Sequence, residues 1–314
     1  MLEITTVVGC RHACVYCPQD KLSKSYAART DGSMRAMSFE TFATCIDKVP
    51  RQTSIVFSGM ADPMLNAECI DMILYAHESG FRVSLFTTAV GMTPADVDRT
   101  RHIPFEHFIV HLPDADEKNT RIACDVKYLE TVTALDSAQI DGLDFIVIGR
   151  AHPEIQEIVK KTIAERTIID RAGNLDRDTV KALSSTTIFK AKALREGKIA
   201  CARTTGPLLN QNVLFPNGDV VLCCMDYNME HVIGNLVQES YEDMFRSQVY
   251  QRVTDGLAEV TTPQILCRSC SEAIRDNSVS RIIRDLRYYS PVSLYRLSPR
   301  LHKYMKRIFV HFAR

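Results

Sequence analysis

The chain has 314 residues, of which 46% are hydrophobic and 24% are charged, and its 38 basic side chains balance its 38 acidic ones. This composition excludes a disordered or fibrous protein, leaves room for one large and one small domain, and offers no global positive field for nucleic acid. No run of 18 apolar residues predicts a membrane helix, and a cysteine loop that starts at Cys10 leaves no room for a cleaved signal peptide, so we expect a cytoplasmic protein.

Strand-like runs alternate with amphipathic segments over the first 170 residues. This alternation predicts a parallel α/β sheet with its ligand site at the carboxyl ends of the strands, and it fits either a barrel or an open, doubly wound sheet. The predicted strands are Glu3–Gly9, Ser54–Gly59, Arg82–Thr88, His107–Leu112, Leu143–Gly149 and Arg166–Asp170. The predicted helices include Phe39–Val49, Ala67–Ser79 and Ile155–Ala164.

Three cysteines follow the first predicted strand: Cys10, Cys14 and Cys17, in the sequence GCRHACVYCP. Three thiolates in one short loop suit a four-iron cluster in which one iron has no protein ligand and can bind another molecule. A zinc loop or three buried structural cysteines are the alternatives, although zinc requires a fourth ligand that His12, between Cys10 and Cys14, is awkwardly placed to supply. The odd total of 11 cysteines also favours reduced thiols over a secreted disulfide framework.

With this C-x3-C-x2-C spacing and Tyr16 before the third cysteine, the sequence resembles the radical S-adenosylmethionine (radical SAM) superfamily. The resemblance implies a partial (β/α)6 TIM-like barrel and a [4Fe–4S] cluster on Cys10, Cys14 and Cys17. It also implies that SAM binds the open iron through its amino and carboxylate groups. An electron from the cluster would then split SAM and release a 5′-deoxyadenosyl radical.

The second predicted strand ends in FSGMADPMLN, which is similar to the GGEP-type motif of the superfamily. The resemblance implies that Gly59 and Met60 bring the backbone close to SAM. It implies that Asp62, where the family usually has glutamate, accepts a hydrogen bond from the amino group of SAM. A strand-to-helix loop in which Asp62-Pro63 starts the helix is the structural alternative. Thr88 ends the third predicted strand, where the family has a polar turn beside SAM.

Two further residues take SAM-binding positions by the same resemblance. His111 ends the fourth predicted strand, where relatives often have a serine near the ribose or carboxylate. Arg121 matches the arginine that pairs with the SAM carboxylate in these relatives, because a planar guanidinium suits a bidentate grip on that group. A solvated helix arginine is the equal alternative for Arg121.

The pattern changes after about residue 200, where Asn212–Cys224 predicts a β-hairpin with a tight turn at Asn217-Gly218. We interpret this hairpin as part of a second, smaller module. Four cysteines flank or follow it and provide thiolates for one closed site: Cys201, Cys223, Cys267 and Cys270. A zinc ribbon would use the same four thiolates.

This second cysteine set resembles the twitch form of the SPASM domain, which holds one auxiliary [4Fe–4S] cluster. The sequences RAGNL at Arg171–Leu175 and GNL at Gly234–Leu236 are also similar to that branch. Adjacent strand residues point to opposite faces, so only one of Cys223 and Cys224 can ligate. The other is a packed small hydrophobe or a thiol near the substrate, where Cys224 would act as a hydrogen-atom donor.

The predicted domains are a barrel at 1–200, a small α+β auxiliary-cluster domain at 201–275 and a helical tail at 276–314. The tail has nine basic side chains against two acidic ones, Asp276 and Asp285. A helical extension with a solvated basic face is the first interpretation, and docking to a membrane or an acidic carrier is the second.

The predicted function is abstraction of a hydrogen atom from a substrate C–H bond, which oxidises or epimerises a sugar, cyclitol or nucleotide-type molecule. Peptide modification is an alternative within the same chemistry, and a flavodoxin or ferredoxin would supply electrons. An iron–sulfur electron carrier or a zinc-binding module is the alternative from another class. Asp62 and Arg121 separate these classes, because a carrier has no need of a SAM pocket.

Overall fold

The structure is a computed structural model that describes residues 1–32, 34–116, 120–165, 171–175, 196–204, 209–259 and 264–277. The strand Arg166–Asp170 predicted from the sequence lies outside these residues, and so does the basic tail beyond Asn277. Within the described residues, no helix combines the length and the apolar character needed to span a bilayer.

The described residues form eleven β-strands. They are β1 Leu2–Ile4, β2 Ile55–Phe57, β3 Val83–Thr87, β4 His107–His111, β5 Leu143–Val147, β6 Ile163–Glu165, β7 Ile199–Cys201, β8 Asn212–Leu214, β9 Asp219–Val221, β10 Val232–Asn235 and β11 Ala273–Arg275. Strands β1 to β6 are parallel and lie side by side in chain order, and three more strands extend the same sheet beyond β1. The sheet order is β10-β9-β8-β1-β2-β3-β4-β5-β6, and β7 pairs with β11 in a separate two-stranded sheet.

Helices connect the parallel strands, and several begin at a side chain that caps the free backbone N–H groups of the first turn. Thr93 and Asp96 form a reciprocal capping box at the helix that begins at Pro94. Ser38, Asp125 and Ser247 cap the helices that begin at the residues after them. The helices are α1 Gln19–Thr30, α2 Phe39–Ile46, α3 Cys69–Glu78, α4 Pro94–Thr100, α5 Val126–Ser137, α6 Pro153–Ile158, α7 Tyr241–Met244, α8 Gln248–Ala258 and α9 Leu266–Ser269, with a 3-10 turn at Pro63–Leu65.

Alternation along the strands separates the apolar core from a polar interior. In β1, Leu2 and Ile4 are fully buried in the main core, whereas Glu3 faces the opposite side of the sheet and lines a cavity. In β4, Phe108 belongs to the core and Ile109 lines the same cavity. Burial of an aliphatic or aromatic side chain of this kind stabilises the fold by about 1.5–3 kcal/mol. Helices therefore cover one face of the sheet while its other face encloses space for a ligand.

The predicted hairpin is present, and it continues the main sheet. Strand β8 pairs in parallel with β1, with Glu3 opposite Val213, and β9 returns antiparallel to β8. Gly218 in the turn has φ +87°, a conformation that glycine adopts without strain. The second module therefore shares a sheet with the first, and the boundary at residue 200 stays a prediction.

The segment that connects β5 to β6 differs from the sequence prediction. The helix predicted at Ile155–Ala164 ends at Ile158, and β6 already begins at Ile163. The backbone N–H groups of Lys160 and Lys161 donate to the carboxylate of Asp136, at 3.1 and 3.2 Å. These bonds replace the next helical turn, so that part of the prediction was wrong.

Gly142 offers a test of this packing, because it combines φ +76° with a site where a Cβ would lie 2.6 Å from the carbonyl oxygen of Phe105. We expect Gly142→Ala to lower the free energy of unfolding by about 3 kcal/mol. Gly80 has φ +84° and open space around it, so Gly80→Ala should cost only about 1 kcal/mol. Urea unfolding of the anaerobic protein measures both values, and equal losses would show that the backbone angle alone matters.

Candidate functional site

A cavity of about 880 Å³ lies inside the curve of the parallel sheet. Its walls come mainly from β1 to β5 and the loops after them, and at the opposite end from residues before the strands, such as Arg82 and Glu106. The first cysteine loop, Asp62 and Thr88 lie at the carboxyl ends, where a parallel sheet places its ligand site. The sequence-predicted site residues that line it are Cys10, Cys14, Tyr16, Cys17, Gly59, Met60, Asp62, Thr88, His111 and Cys224. The structure therefore brings most of the first predicted set, together with Cys224, to one space.

The first cysteine loop presents its three thiols to this cavity. The N–H of Cys17 donates to the carbonyl of Cys14 at 3.0 Å, and the side chain of Gln19 contacts both the Cys10 N–H and the Met60 carbonyl. Gln19 thus ties the cysteine loop to the loop after β2.

Burial raises the pKa of all three thiols, and that of Cys14 to about 12. The charges of Cys10 and Cys17 also raise the pKa of Cys14, which shows that the thiolates would repel one another. Metal coordination removes this repulsion because the cations stabilise the thiolates. The set therefore fits three corners of an iron–sulfur cluster.

Asp62 lies at the centre of a buried hydrogen-bond network. Its carboxylate accepts from the N–H of Thr88 at 2.7 Å, from both threonine hydroxyls of Thr87 and Thr88, and from the N–H of Met64 at 3.1 Å. His12 Nε2 lies 3.3 Å from the same carboxylate and 3.2 Å from the Thr88 hydroxyl. Burial raises the pKa of Asp62, but the bonds from His12 and Thr88 outweigh it and hold the pKa below its usual value. Asp62 therefore joins the cysteine loop to the ends of β2 and β3.

The loop after β2 needs glycine for a reason within the chain. Gly59 has φ +46°, and a Cβ there would lie 2.6 Å from the Cα of Thr5. The hydroxyl of Thr5 also accepts from the N–H of Met60 at 3.1 Å. Gly59 thus lets the loop pack against the end of β1, and its predicted approach to SAM stays a prediction.

Tyr16 and His111 form a stacked pair on the cavity wall. Their ring centroids are 5.5 Å apart, and the Tyr16 hydroxyl lies 3.1 Å from Nδ1 of His111. Burial, followed by the charge of Arg171, lowers the pKa of His111 to about 4, so the imidazole is neutral at neutral pH. The pair links the cysteine loop to the end of β4.

Arg121 lies elsewhere. Its backbone N–H donates to the backbone carbonyl of His12 at 2.9 Å. Its side chain, however, is exposed and lines a neighbouring cavity of about 580 Å³. The structure therefore does not bring Arg121 into the cavity that holds the thiols.

The second cysteine set lines a smaller cavity next to the first, and all four predicted cysteines contribute to it: Cys201, Cys223, Cys267 and Cys270. Pairing of β7 with β11 places Cys201 opposite Ala273. The fully buried Arg268 donates to the carbonyls of Gly197, Gly256 and Glu259, which fixes the short helix α9 between Cys267 and Cys270. Burial raises the pKa of Cys223, and the charges of its thiol neighbours add to the shift. Four thiols that line one small cavity fit a closed metal cluster.

Within the described ranges, no three His, Cys, Asp or Glu side chains converge as ligands of a single metal ion.

Cys224 connects the two cavities, because it lines both. Burial raises the pKa of its thiol to about 12, and the charge of Glu3 adds to the shift, so the thiol stays protonated. Burial also raises the pKa of Glu3, whose carboxyl accepts from the hydroxyl of Ser58 at 3.3 Å. Cys224 is thus the thiol of the adjacent pair that faces the larger cavity, next to an acidic group.

Sequence reasoning missed four functional candidates in these walls: Glu3, His12, Arg171 and Arg203. Glu3 and Arg203 belong to no motif, and only their position in the folded chain brings them beside Cys224. His12 was weighed as a metal ligand, whereas it binds Asp62 and Thr88. Arg171 lies in the RAGNL segment, whose resemblance could have identified it.

Comparisons with known proteins agree with this geometry. The family model of the radical SAM superfamily matches residues 4–162, just over half of the chain, and that of the SPASM iron–sulfur cluster-binding domain matches residues 208–271. No curated protein sequence matches the chain.

Two similar solved structures share the fold. The crystal structure of BtrN in complex with AdoMet and 2-DOIA is 15% identical, with 90% of this chain and 94% of that chain covered and a TM-score of 0.51. Native anSMEcpe with bound AdoMet and Cp18Cys peptide is 12% identical, with 86% and 85% covered and a TM-score of 0.51. At such identities the likeness shows the fold alone, and it confirms the partial barrel with helices around a parallel sheet.

Proposed function

The chain belongs to the radical SAM superfamily and carries a SPASM-type iron–sulfur domain, and on this premise we propose that it epimerises a small polar molecule at a carbon atom. The observation that carries the proposal is the shared cavity: the three thiols of the first loop and the protonated thiol of Cys224 line the same space. When bound, [4Fe–4S] clusters and SAM supply the 5′-deoxyadenosyl radical and the single electrons of the reaction.

We assign the first cluster to Cys10, Cys14 and Cys17, and the auxiliary cluster to Cys201, Cys223, Cys267 and Cys270. Asp62, His12 and Thr88 hold the first loop in position through their buried bonds. The buried ring of Tyr16 packs against Cys14 of that loop and stacks on His111.

The first cluster and SAM would fill part of the cavity of about 880 Å³, so the space left for a substrate is modest, and polar groups such as Glu3, Ser58 and Ser84 lie in its wall. Both features favour a polar substrate of modest size, such as a sugar, cyclitol or nucleotide derivative.

Epimerisation then needs two hydrogen transfers. One hydrogen atom passes from the substrate carbon to the 5′-deoxyadenosyl radical, and the S–H of Cys224 returns one from the other face, which leaves a thiyl radical. One electron from a flavodoxin- or ferredoxin-type reductant and one proton then restore the thiol. Glu3 supplies the proton because burial favours its protonated form. Glu3 therefore acts as the acid that resets Cys224.

Oxidation of an alcohol carbon is the second candidate. It is favoured by the four auxiliary cysteines, which line a cavity that shares Cys224 with the first. In that reaction the substrate radical loses a hydroxyl proton and one electron, which the auxiliary cluster would accept, and becomes a carbonyl. No hydrogen atom returns.

The test begins with anaerobically reconstituted protein, in which iron and sulfide are measured. The same preparation is then incubated with SAM and dithionite, and 5′-deoxyadenosine is measured by chromatography. We expect about eight irons per chain and deoxyadenosine formation, since two four-iron clusters are assigned. Iron without deoxyadenosine would favour an electron carrier, and zinc in place of iron would refute the proposal. A screen of sugars, cyclitols, nucleotides and peptides for a mass-neutral change then tests epimerisation.

A further inference from the structure

Two arginines lie on the side of the cavity where Cys224 is found. Arg171 and Arg203 both line the cavity, and the charges of both act on the Cys224 thiol. Arg203 also lines the cavity of the auxiliary cysteines, whereas Arg171 acts on Cys17 of the first loop. The two guanidinium groups thus approach the same sulfur from the two cysteine sites.

Both arginines are held in place by neighbouring amides. The side chain of Asn174 donates to the carbonyls of Arg171 and Met225, at 2.8 and 2.9 Å, which fixes the Arg171 backbone beside the turn that contains Cys224 and Met225. The side chain of Gln211 accepts from Nε of Arg203 at 3.1 Å and donates to the Arg203 carbonyl. The arginines are therefore positioned before any ligand arrives.

Their charged ends remain without partners. Among the residues that the structure describes, no carboxylate lies within ion-pair distance of Arg171 or Arg203, and the terminal nitrogens of both donate no hydrogen bond. Glu3 and Glu272 are the carboxylates whose charges reach Arg203, and only Glu3 lines the larger cavity. A partly buried guanidinium without a partner is costly, and an anion from outside would remove that cost.

The charged groups of the cavity that lie away from Cys224 have partners within the chain. The ammonium group of Met1 donates to the carbonyl of Asn210 at 2.9 Å. Asp62 is paired with His12, and Arg82 with Glu106 at the opposite end of the strands. The part of the cavity beside Cys224 therefore carries the unpaired positive charge.

We propose that Arg171 and Arg203 bind an oxyanion of the substrate, a phosphate ester or a carboxylate, and hold it beside Cys224. This inference rests on the proposed function and narrows its substrate class from polar to anionic. Guanidinium groups suit oxyanions because their N–H donors match two oxygens at once. An anchored oxyanion would also fix which substrate carbon faces the Cys224 sulfur, and an ammonium substrate would be repelled.

Four probes that share one sugar ring separate these cases: glucose 6-phosphate, glucuronate, glucose and glucosamine. Calorimetry on the anaerobic holoenzyme with SAM bound gives a Kd for each. We expect the two anions to bind at least about tenfold more tightly than glucose, because hydrogen bonds to charged groups are the stronger ones, and glucosamine to bind most weakly. The tighter of the two anions identifies the oxyanion. Equal binding of all four probes would overturn the inference.

The variants Arg171→Gln and Arg203→Gln should each weaken binding of the tighter anion about tenfold and leave glucose unchanged. Arg82→Gln is the matched control, since it removes the same charge from the same cavity but from an existing pair. Loss of anion binding in Arg82→Gln to the same extent would overturn the inference. An Arg171→Gln protein that loses affinity for SAM but keeps its affinity for the anion would also overturn the inference.

Iron content is measured for every variant. If the Arg203→Gln protein loses iron, the Arg203→Lys variant is tested in its place. The supporting result is then an Arg203→Lys protein that binds the anion more weakly than wild type does but still more tightly than it binds glucose. Deoxyadenosine formation without a sugar is measured in the same preparations. Its absence would refute the proposed function, whereas deoxyadenosine formation without preference for an anion would refute only this inference.

Discussion

Replacement of Cys14 by alanine is expected to reduce deoxyadenosine formation to background and to remove about four of eight irons. The three thiols of the first loop line one cavity, and Cys14 feels the charges of both other thiols. With two thiolates left, the cluster would lose a corner and SAM would lose its anchoring iron. Iron analysis and the chromatographic assay measure both effects on the anaerobic protein.

Two matched variants show whether this effect is local. Cys45→Ala removes a fully buried thiol from the main core and should leave iron content and deoxyadenosine formation near wild type. Cys267→Ala should also remove about four irons but leave substrate-free SAM cleavage within a few-fold of wild type, because its thiol lines the other cavity. Equal loss of SAM cleavage in the Cys14 and Cys267 variants would contradict the assignment of two separate clusters.

The local part of this site could be predicted from the sequence, because its signals are local. The spacing of Cys10, Cys14 and Cys17 and the Asn217-Gly218 turn each depend on a few neighbouring residues, and the structure places the thiols in one cavity and the hairpin at that turn. Five of the six predicted strands overlap a strand of the sheet, and the sixth lies outside the described residues.

The remaining part depends on contacts between distant segments. Pairing of β8 with β1 joins residues more than 200 positions apart, and nothing in either short strand specifies its partner. That pairing places Glu3 beside Cys224, so neither the acid nor its thiol partner could be inferred from Glu3 alone. Arg203 likewise acquires its role only when the auxiliary loop folds against the barrel interior.

Cys224→Ala is expected to abolish product formation and to leave deoxyadenosine formation within about threefold of wild type. The thiol lines the cavity but lies outside the first cysteine loop, so its loss removes the returning hydrogen atom and leaves SAM cleavage in place. In D2O the wild-type enzyme should place one deuterium at the inverted carbon, since a thiol exchanges its proton with solvent. Cys69→Ala, which removes a fully buried core thiol, is the control and should retain both product and label.

The product mass separates the two candidate reactions. An epimer formed in D2O is heavier than the substrate by one mass unit, whereas an oxidised product is lighter by two and carries no label at that carbon. An unlabelled, oxidised product from both wild type and Cys224→Ala would refute the donor role of Cys224 and leave oxidation as the function.

Glu3→Gln then tests how the thiol is reset. Glutamine fills the same space beside Cys224, but it has no acidic proton to give. We therefore expect a first turnover at nearly the wild-type rate, followed by a fall of at least about tenfold in later turnovers, because the thiyl radical lacks its proton source. Rapid-quench measurement of product per enzyme separates the first turnover from the rest. A Glu3→Gln protein with equal loss in both phases would show that Glu3 only positions the thiol.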